Sequence, residues 1–311
     1  MASLTLLLPE LRRIGMSGAS PLPQWLSRGD ELASSQAGRE IALRECFKFL
    51  GSSFPHAALS RSIESGDASA ALWLNADPAY VIADAVTVRM LACGSMGLMP
   101  DESSAMAKSL QPLFGDVGFP LDVSPSGRWQ LRCPKESRLP VFAPPSLVVG
   151  DDLARHLPSG DNERQWRHLL NEAQVILHNH PVNARRVHEG KAPANSVWFW
   201  GAGTLPEWVR TRFSRVVSDD DEVMALAKLA GRVATDASFD AGNIKSGDEV
   251  LFDAGENPSQ QIDAYLSNVQ EALRRGIVRH VGLVSNDGSR YIYKSSHRWR
   301  WWRRIRAVPA K

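Results

Sequence analysis

Residues 178–203 read HNHPVNARRVHEGKAPANSVWFWGAG, and the reading of this stretch decides the fold. Its first half gathers His178, His180, Asn183, Arg185 and Arg186, side chains able to hold an anion. Pro181 suits the first position of a helix, where its missing N–H costs nothing, and Gly190 suits the end. Residues 181–189 are therefore expected to be helical. Ser196 to Trp200 is a short apolar run, expected as a strand buried on both faces, with Trp198 and Trp200 as core. Gly201-Ala202-Gly203 lacks the third glycine and the downstream acid of a dinucleotide fingerprint, so close packing is the preferred reading.

Working outward, Trp166, Leu169, Leu170, Ala173, Ile176 and Leu177 recur at helical spacing and give 163–178 one apolar face. Downstream, Ser218-Asp219-Asp220-Asp221 opens a helix with a cap and acids that complement its dipole, and Gly231 closes it. A strand is expected over 249–254. A helix over 258–275 follows, with Asn257 as cap and Pro258 at its first position, then a strand over 277–285. Upstream, 4–8 is an apolar strand stopped by Pro9, 15–23 is too rich in Gly, Ser and Pro for regular helix, and 38–50 is expected as a helix. The β-α-β alternation predicts an α/β fold with a mainly parallel sheet covered by helices on both faces. Between 72 and 149 the texture changes to α+β: strands around a turn at 79–91, a helix at 101–114 and a strand at 128–133. Pro134, Pro140, Pro144 and Pro145 mark the exit. The expected organisation is a discontinuous core, 1–71 with 150–311, and an inserted domain, 72–149.

With 43% hydrophobic residues over 311 positions, the chain can bury a large core, which excludes disorder as its main state. A net charge of +2 gives no global reason to expect a polyanionic partner. The charge is uneven, however: residues 290–311 hold eight basic and no acidic residues, and the remaining 28 basic residues face 34 acidic ones. Cys46, Cys93 and Cys133 form no CxxC pair, which fits a reducing compartment. No run approaches the roughly 18 apolar residues of a membrane span. A cytoplasmic protein with no membrane span is expected.

The 178–203 block resembles the signature of the archaeal-type cofactor-independent phosphoglycerate mutases, members of the alkaline phosphatase superfamily. The order of elements from about Trp166 to Ser289 is similar too. Trp73-Leu74-Asn75-Ala76-Asp77-Pro78 and the Trp198–Gly203 wording look like a bacterial branch described as pathogenicity-factor regulatory proteins. The resemblance implies an alkaline phosphatase-like fold with an inserted α+β domain. It also implies a site where two metal ions, held by about six Asp and His ligands, activate a Ser or Thr nucleophile. Most of those ligands are missing here. Pro9-Glu10 stands where the family has Asp-Gly, and Asp253-Ala254-Gly255-Glu256-Asn257 and Asp287-Gly288-Ser289 each lack the family histidine. Asp253, Asp287 and His297 are the remaining metal candidates, and no catalytic nucleophile matches.

The resulting expectation is a phosphoglycerate mutase-like pseudoenzyme without a cofactor, acting through regulation or metabolite binding. Its phosphorylated or carboxylated small metabolite would lie on His178, His180, Asn183, Arg185, Arg186 and Asn195, and an unidentified protein partner completes the picture. The first alternative is an active metal-dependent mutase or phosphatase using Asp253, Asp287 and His297. The second alternative uses the C-terminal run from Ser296 to Arg304 on nucleic acid or a membrane surface. Against it, a last edge strand with Trp299 and Trp301 on the core is preferred, and nucleic acid is not expected as a partner. Asp287-Gly288 is read as a two-residue hairpin loop, and Asp219-Asp220-Asp221 is given no chemistry.

Overall fold

The computed structural model describes residues 1–14, 20–51, 53–83, 87–160, 162–235, 244–255 and 261–305. The Asn257 and Pro258 cap, the Glu256-Asn257 part of the acidic turn, and most of the 15–23 stretch lie outside them. In chain order the elements begin with β1 (Ala2–Leu8), α1 (Leu22–Arg28), β2 (Asp30–Glu31), α2 (Arg39–Cys46) and α3 (His56–Glu64). Then come β3 (Leu72–Ala83), β4 (Val88–Cys93), α4 (Pro100–Asp116), β5 (Leu121–Val123), β6 (Trp129–Cys133), α5 (Pro145–Val148), α6 (Glu163–His178), α7 (Pro181–His188) and β7 (Ser196–Gly203). The last are β8 (Arg215–Val217), α8 (Asp221–Leu229), β9 (Val233–Thr235), β10 (Glu249–Asp253), α9 (Gln261–Arg274), β11 (Val278–Ser285) and β12 (Arg290–Lys294).

The chain divides into two compact units, Met1–Leu50 with Glu207–Lys311, and Gly51–Pro206. Among the described residues, the first unit holds a seven-stranded sheet in the order β2-β12-β11-β1-β10-β8-β9. Strands β1, β8, β9, β10 and β11 are parallel; only the β11–β12 and β12–β2 pairs are antiparallel. Leu4 and Leu6 from β1, Val250 and Phe252 from β10, and Val281 and Leu283 from β11 meet Leu266 and Val269 of α9 in one core. Near-continuous apolar strands are what a sheet covered on both faces requires. The expected α/β class with a mainly parallel, helix-flanked sheet is the observed one.

The second unit is built on an antiparallel sheet around β3. Along one side of β3 runs β7, with Asn75 opposite Trp200 and Ala79 opposite Ser196. The other side is shared by β6, opposite residues 72–75, and β4, opposite 79–83. Alternation of side chains sends Trp73 towards Ala57 and Ala58 of α3, whereas Leu74 joins Trp166, Leu169 and Leu177 of α6. Two expectations are corrected here. The 196–200 run is buried as read through Phe199, with Trp200 half-buried, but as an antiparallel partner of β3 rather than a strand of the parallel sheet. Residues 51–71 and 150–206 therefore count with the second unit. The proline-rich stretch is no boundary either: Trp198 Nε1 donates to the Ala143 carbonyl at 2.8 Å, and Phe142 packs on Trp166 and Phe199.

Candidate functional site

In an open parallel sheet, ligands and catalytic groups gather outside the carboxyl ends of the strands. In the first unit those ends carry Ser218 after β8, Asp253 closing β10, and Asn286 and Asp287 after β11. Backbone bonds hold these ends in place around β1, with Ala254 N–H on the Leu7 carbonyl and Asn286 N–H on the Leu8 carbonyl.

Above them the segment 32–38 runs along the β11–β12 turn. Leu32, Ser35 and Gly38 donate their N–H groups to the carbonyls of Arg290, Gly288 and Asn286, at 2.9, 3.0 and 2.7 Å. Gly288 must be glycine: its φ is +90° and a Cβ would lie 2.3 Å from the Ser35 carbonyl oxygen. Arg290 secures the arrangement from below, with a two-pronged pair to Glu45 of α2 at 2.7 and 2.9 Å and a bond to Ser35 Oγ. That pair, with burial opposing it, holds the Glu45 carboxyl below its ordinary range.

The consequence is the placement of Arg39, the first residue of α2. Its guanidinium donates to both oxygens of Asp253, at 3.2 and 2.8 Å, and to Asp220 Oδ2 at 2.8 Å. The Asp253 side chain is 0% exposed and the Arg39 side chain 13%. Burial alone would lower the guanidinium; the Asp253 and then the Asp220 charges and hydrogen bonds outweigh it and raise it, so Arg39 stays a cation. Ser218 Oγ and Gly255 N–H complete the shell of Asp253, at 2.8 and 3.1 Å. Asp220 uses its other oxygen to cap α8, accepting from Glu222 and Val223 N–H. The cap of that helix is thus Asp220, and the acid run given no chemistry supplies the more exposed arm of an ion triad around Arg39.

The remaining metal candidates do not join this cluster. Asp287 accepts from the N–H groups of Leu11 and Ser289, at 3.2 and 2.9 Å. Burial pushes its carboxyl up, but these bonds outweigh it and hold the group low. The hairpin reading of its turn stands, although the loop spans Asn286-Asp287-Gly288 between paired Ser285 and Ser289. Glu10 is taken by Arg12 at 2.6 Å. His297 follows β12, whose Lys294 pairs with His280 near the start of β11, so it lies at the opposite end of the sheet from Asp253 and Asp287. There it faces Asp30 at 3.4 Å. Among the described residues, no three His, Cys, Asp or Glu side chains are grouped to hold a metal ion. Among the described residues, the donor set does not match a two-metal centre, because Asp253 at the end of β10 already carries a guanidinium and two further donors.

The six residues expected to bind a ligand lie in the second unit, and most are committed within it. Asn183 donates to the Leu177 and Ala194 carbonyls and accepts from Ala194 N–H. Arg186, 2% exposed, pairs with buried Glu102 at 2.9 Å and donates to the carbonyls of Ala192 and Met96. Asn195 exchanges two bonds with the Val81 backbone, at 2.9 and 2.8 Å. His180 caps α7, its Nδ1 accepting from Val182 N–H at 3.3 Å, and burial lowers its affinity for a proton. His178 and Arg185 are exposed, with Arg185 3.8 Å from Glu102. The block is thus a helix-turn-strand joint whose polar groups satisfy loop backbone. Gly201 and Gly203 belong to the same joint: a Cβ would stand 2.7 Å from His56 Cβ and 2.5 Å from Pro55 Cβ, which supports the packing reading.

The first unit is thus a parallel-rich α/β sheet at whose carboxyl end Arg39 is paired with Asp253 and Asp220. No protein-family model matches the chain. It is similar to a 2,3-bisphosphoglycerate-independent phosphoglycerate mutase of Methanothrix thermoacetophila, 34% identical over 115 residues, which is 35% of this chain and 29% of that enzyme. A probable enzyme of the same kind from Geobacter sulfurreducens is 42% identical over 66 residues, 21% of this chain and 16% of its own length. The matched stretches thus span less than a third of these relatives. In fold, the chain is similar to the PH0037 protein of Pyrococcus horikoshii, with a TM-score of 0.54 at 13% identity, over 93% of this chain and 86% of that one.

Proposed function

We propose that this chain is a phosphoglycerate mutase-like protein that has exchanged its metal-dependent phosphoryl transfer for a role exerted by binding. The carrying observation is the Arg39 guanidinium between Asp253 and Asp220. Two-metal transfer needs carboxylates free to take cations whose second face is open to substrate. A guanidinium occupies the carboxylates with a single positive charge, has no open coordination position and cannot activate an oxygen nucleophile. The similarity to phosphoglycerate mutases suggests a phosphorylated or carboxylated metabolite as ligand, and the regulatory character read from the 73–78 and 198–203 wording is kept as part of this proposal. The test is turnover: purified chain with Mn²⁺ and 3-phosphoglycerate, followed by phosphorus NMR, is expected to form no 2-phosphoglycerate. Interconversion at an enzymatic rate overturns the proposal in favour of the active mutase.

A further inference from the structure

Trp299, Trp301 and Trp302 are 67%, 79% and 65% exposed, and Ile305 is 55% exposed. An edge strand would have turned Trp299 and Trp301 onto the core; instead Ser295–Trp299 is a 3-10 turn. The segment is nevertheless fixed. His297 is buried against Tyr293, Arg28 donates to the Arg298 carbonyl at 2.7 Å, Arg300 donates to the Arg28 carbonyl at 3.0 Å, and Arg303 donates to the Gly29 carbonyl at 2.6 Å. The indoles are thus held outward on an ordered support.

Charge accompanies them. Among the described residues, no carboxylate pairs with Arg298, Arg303 or Arg304, and the Arg298 guanidinium lies 5.0 Å over the Trp299 ring. Beside the patch is a small cavity lined by Arg298, Arg274, Gln24, Gln270, Tyr293 and Ser295. It is rich in donors, and Glu271 stands 4.0 Å from Arg274. We propose that residues 298–305 dock this protein peripherally on an anionic phospholipid surface. The indoles and Ile305 would enter the interfacial layer, while Arg298, Arg303 and Arg304 meet headgroup phosphates. Indoles favour this interface because one edge is polar and the body apolar. Single-stranded nucleic acid fits less well: Trp301 and Trp302 stand edge to face at 80°, so they offer no parallel platforms for successive bases, and Ile305 adds nothing to stacking.

The test is flotation of the full chain with phosphatidylcholine vesicles, with and without phosphatidylglycerol. Binding is expected only with phosphatidylglycerol and should weaken with salt. Two variants separate the contributions: Trp299→Ser, Trp301→Ser and Trp302→Ser together, and Arg298→Gln with Arg304→Gln. Each alters exposed side chains, so native circular dichroism is expected, together with at least about a tenfold loss of vesicle affinity. No binding to phosphatidylglycerol vesicles overturns the proposal. So does binding that folded variants leave unchanged, or tighter binding to an oligothymidine than to vesicles.

Discussion

Replacing Arg39 with methionine removes a cation from between two carboxylates, one of them fully buried. Breaking a buried pair from one side costs about 3–5 kcal/mol, so urea denaturation should show a loss of that order in the variant. Millimolar Mn²⁺ is expected to restore part of the variant's stability and none of the parent's. Asp77 offers a contrasting case in the second unit. Burial pushes its carboxyl up, against the Trp200 Nε1–H donated at 2.6 Å and the Arg128 charge, while Glu64 adds to the rise. Well below about pH 4 both the folded and the unfolded groups are protonated. As pH rises towards the raised folded value, the unfolded chain releases its proton first and stability falls, levelling off above it. Asp77→Asn should therefore gain stability over the parent at pH 7 relative to pH 4 in paired denaturation curves. Of these residues, Asp253 and Asp287 were legible through the resemblance. Arg39 was not, because its partners are 181 and 214 positions away. Its one local signal is a cation in the first turn of a helix, where the dipole disfavours it.

Element by element, the sequence was readable where periodicity and end signals agree. The helix read over 163–178 matches α6, and the strands near 4–8, 249–254 and 277–285 match β1, β10 and β11 to within two residues. Partnership was not readable for β7. A continuous apolar run says that both faces are covered, and α3 with α6 cover an antiparallel sheet as completely as helices cover a parallel one. Its glycines do carry the pairing geometry. Gly203→Val places a branched side chain where even a Cβ would lie 2.7 Å from Pro55 Cα. A loss of about 1–3 kcal/mol in denaturant unfolding is expected, while Gly231→Ala, with nothing nearby, should lose only its left-handed conformation cost of roughly 1–2 kcal/mol. At the chain's end, alternating Trp and Arg mimicked a strand, and the 3-10 turn after Lys294 ended that pattern.

At the scale of the molecule, composition and β-α-β alternation gave the class, but the boundary signal misled. Prolines mark a turn of direction, whereas a unit is defined by what its side chains cover, and Phe142 and Ala143 lie against the second unit's core. Expressed alone, residues 51–206 carry their own sheet and core and should unfold cooperatively; residues 72–149, lacking α3, α6 and β7, should not. All three cysteines are free, and burial pushes each thiol up, to about 12 for Cys46 and Cys133, so none of the three is a ready metal-binding thiolate. No described helix is long and apolar enough to cross a membrane. The exchange of metal ions for a guanidinium is the claim on which the functional proposal rests. Manganese titration of the purified chain, with free Mn²⁺ read by electron paramagnetic resonance, tests it most directly. Free ion rising with added ion from the first addition is the expected result; about two ions taken up per chain before free Mn²⁺ appears would contradict it.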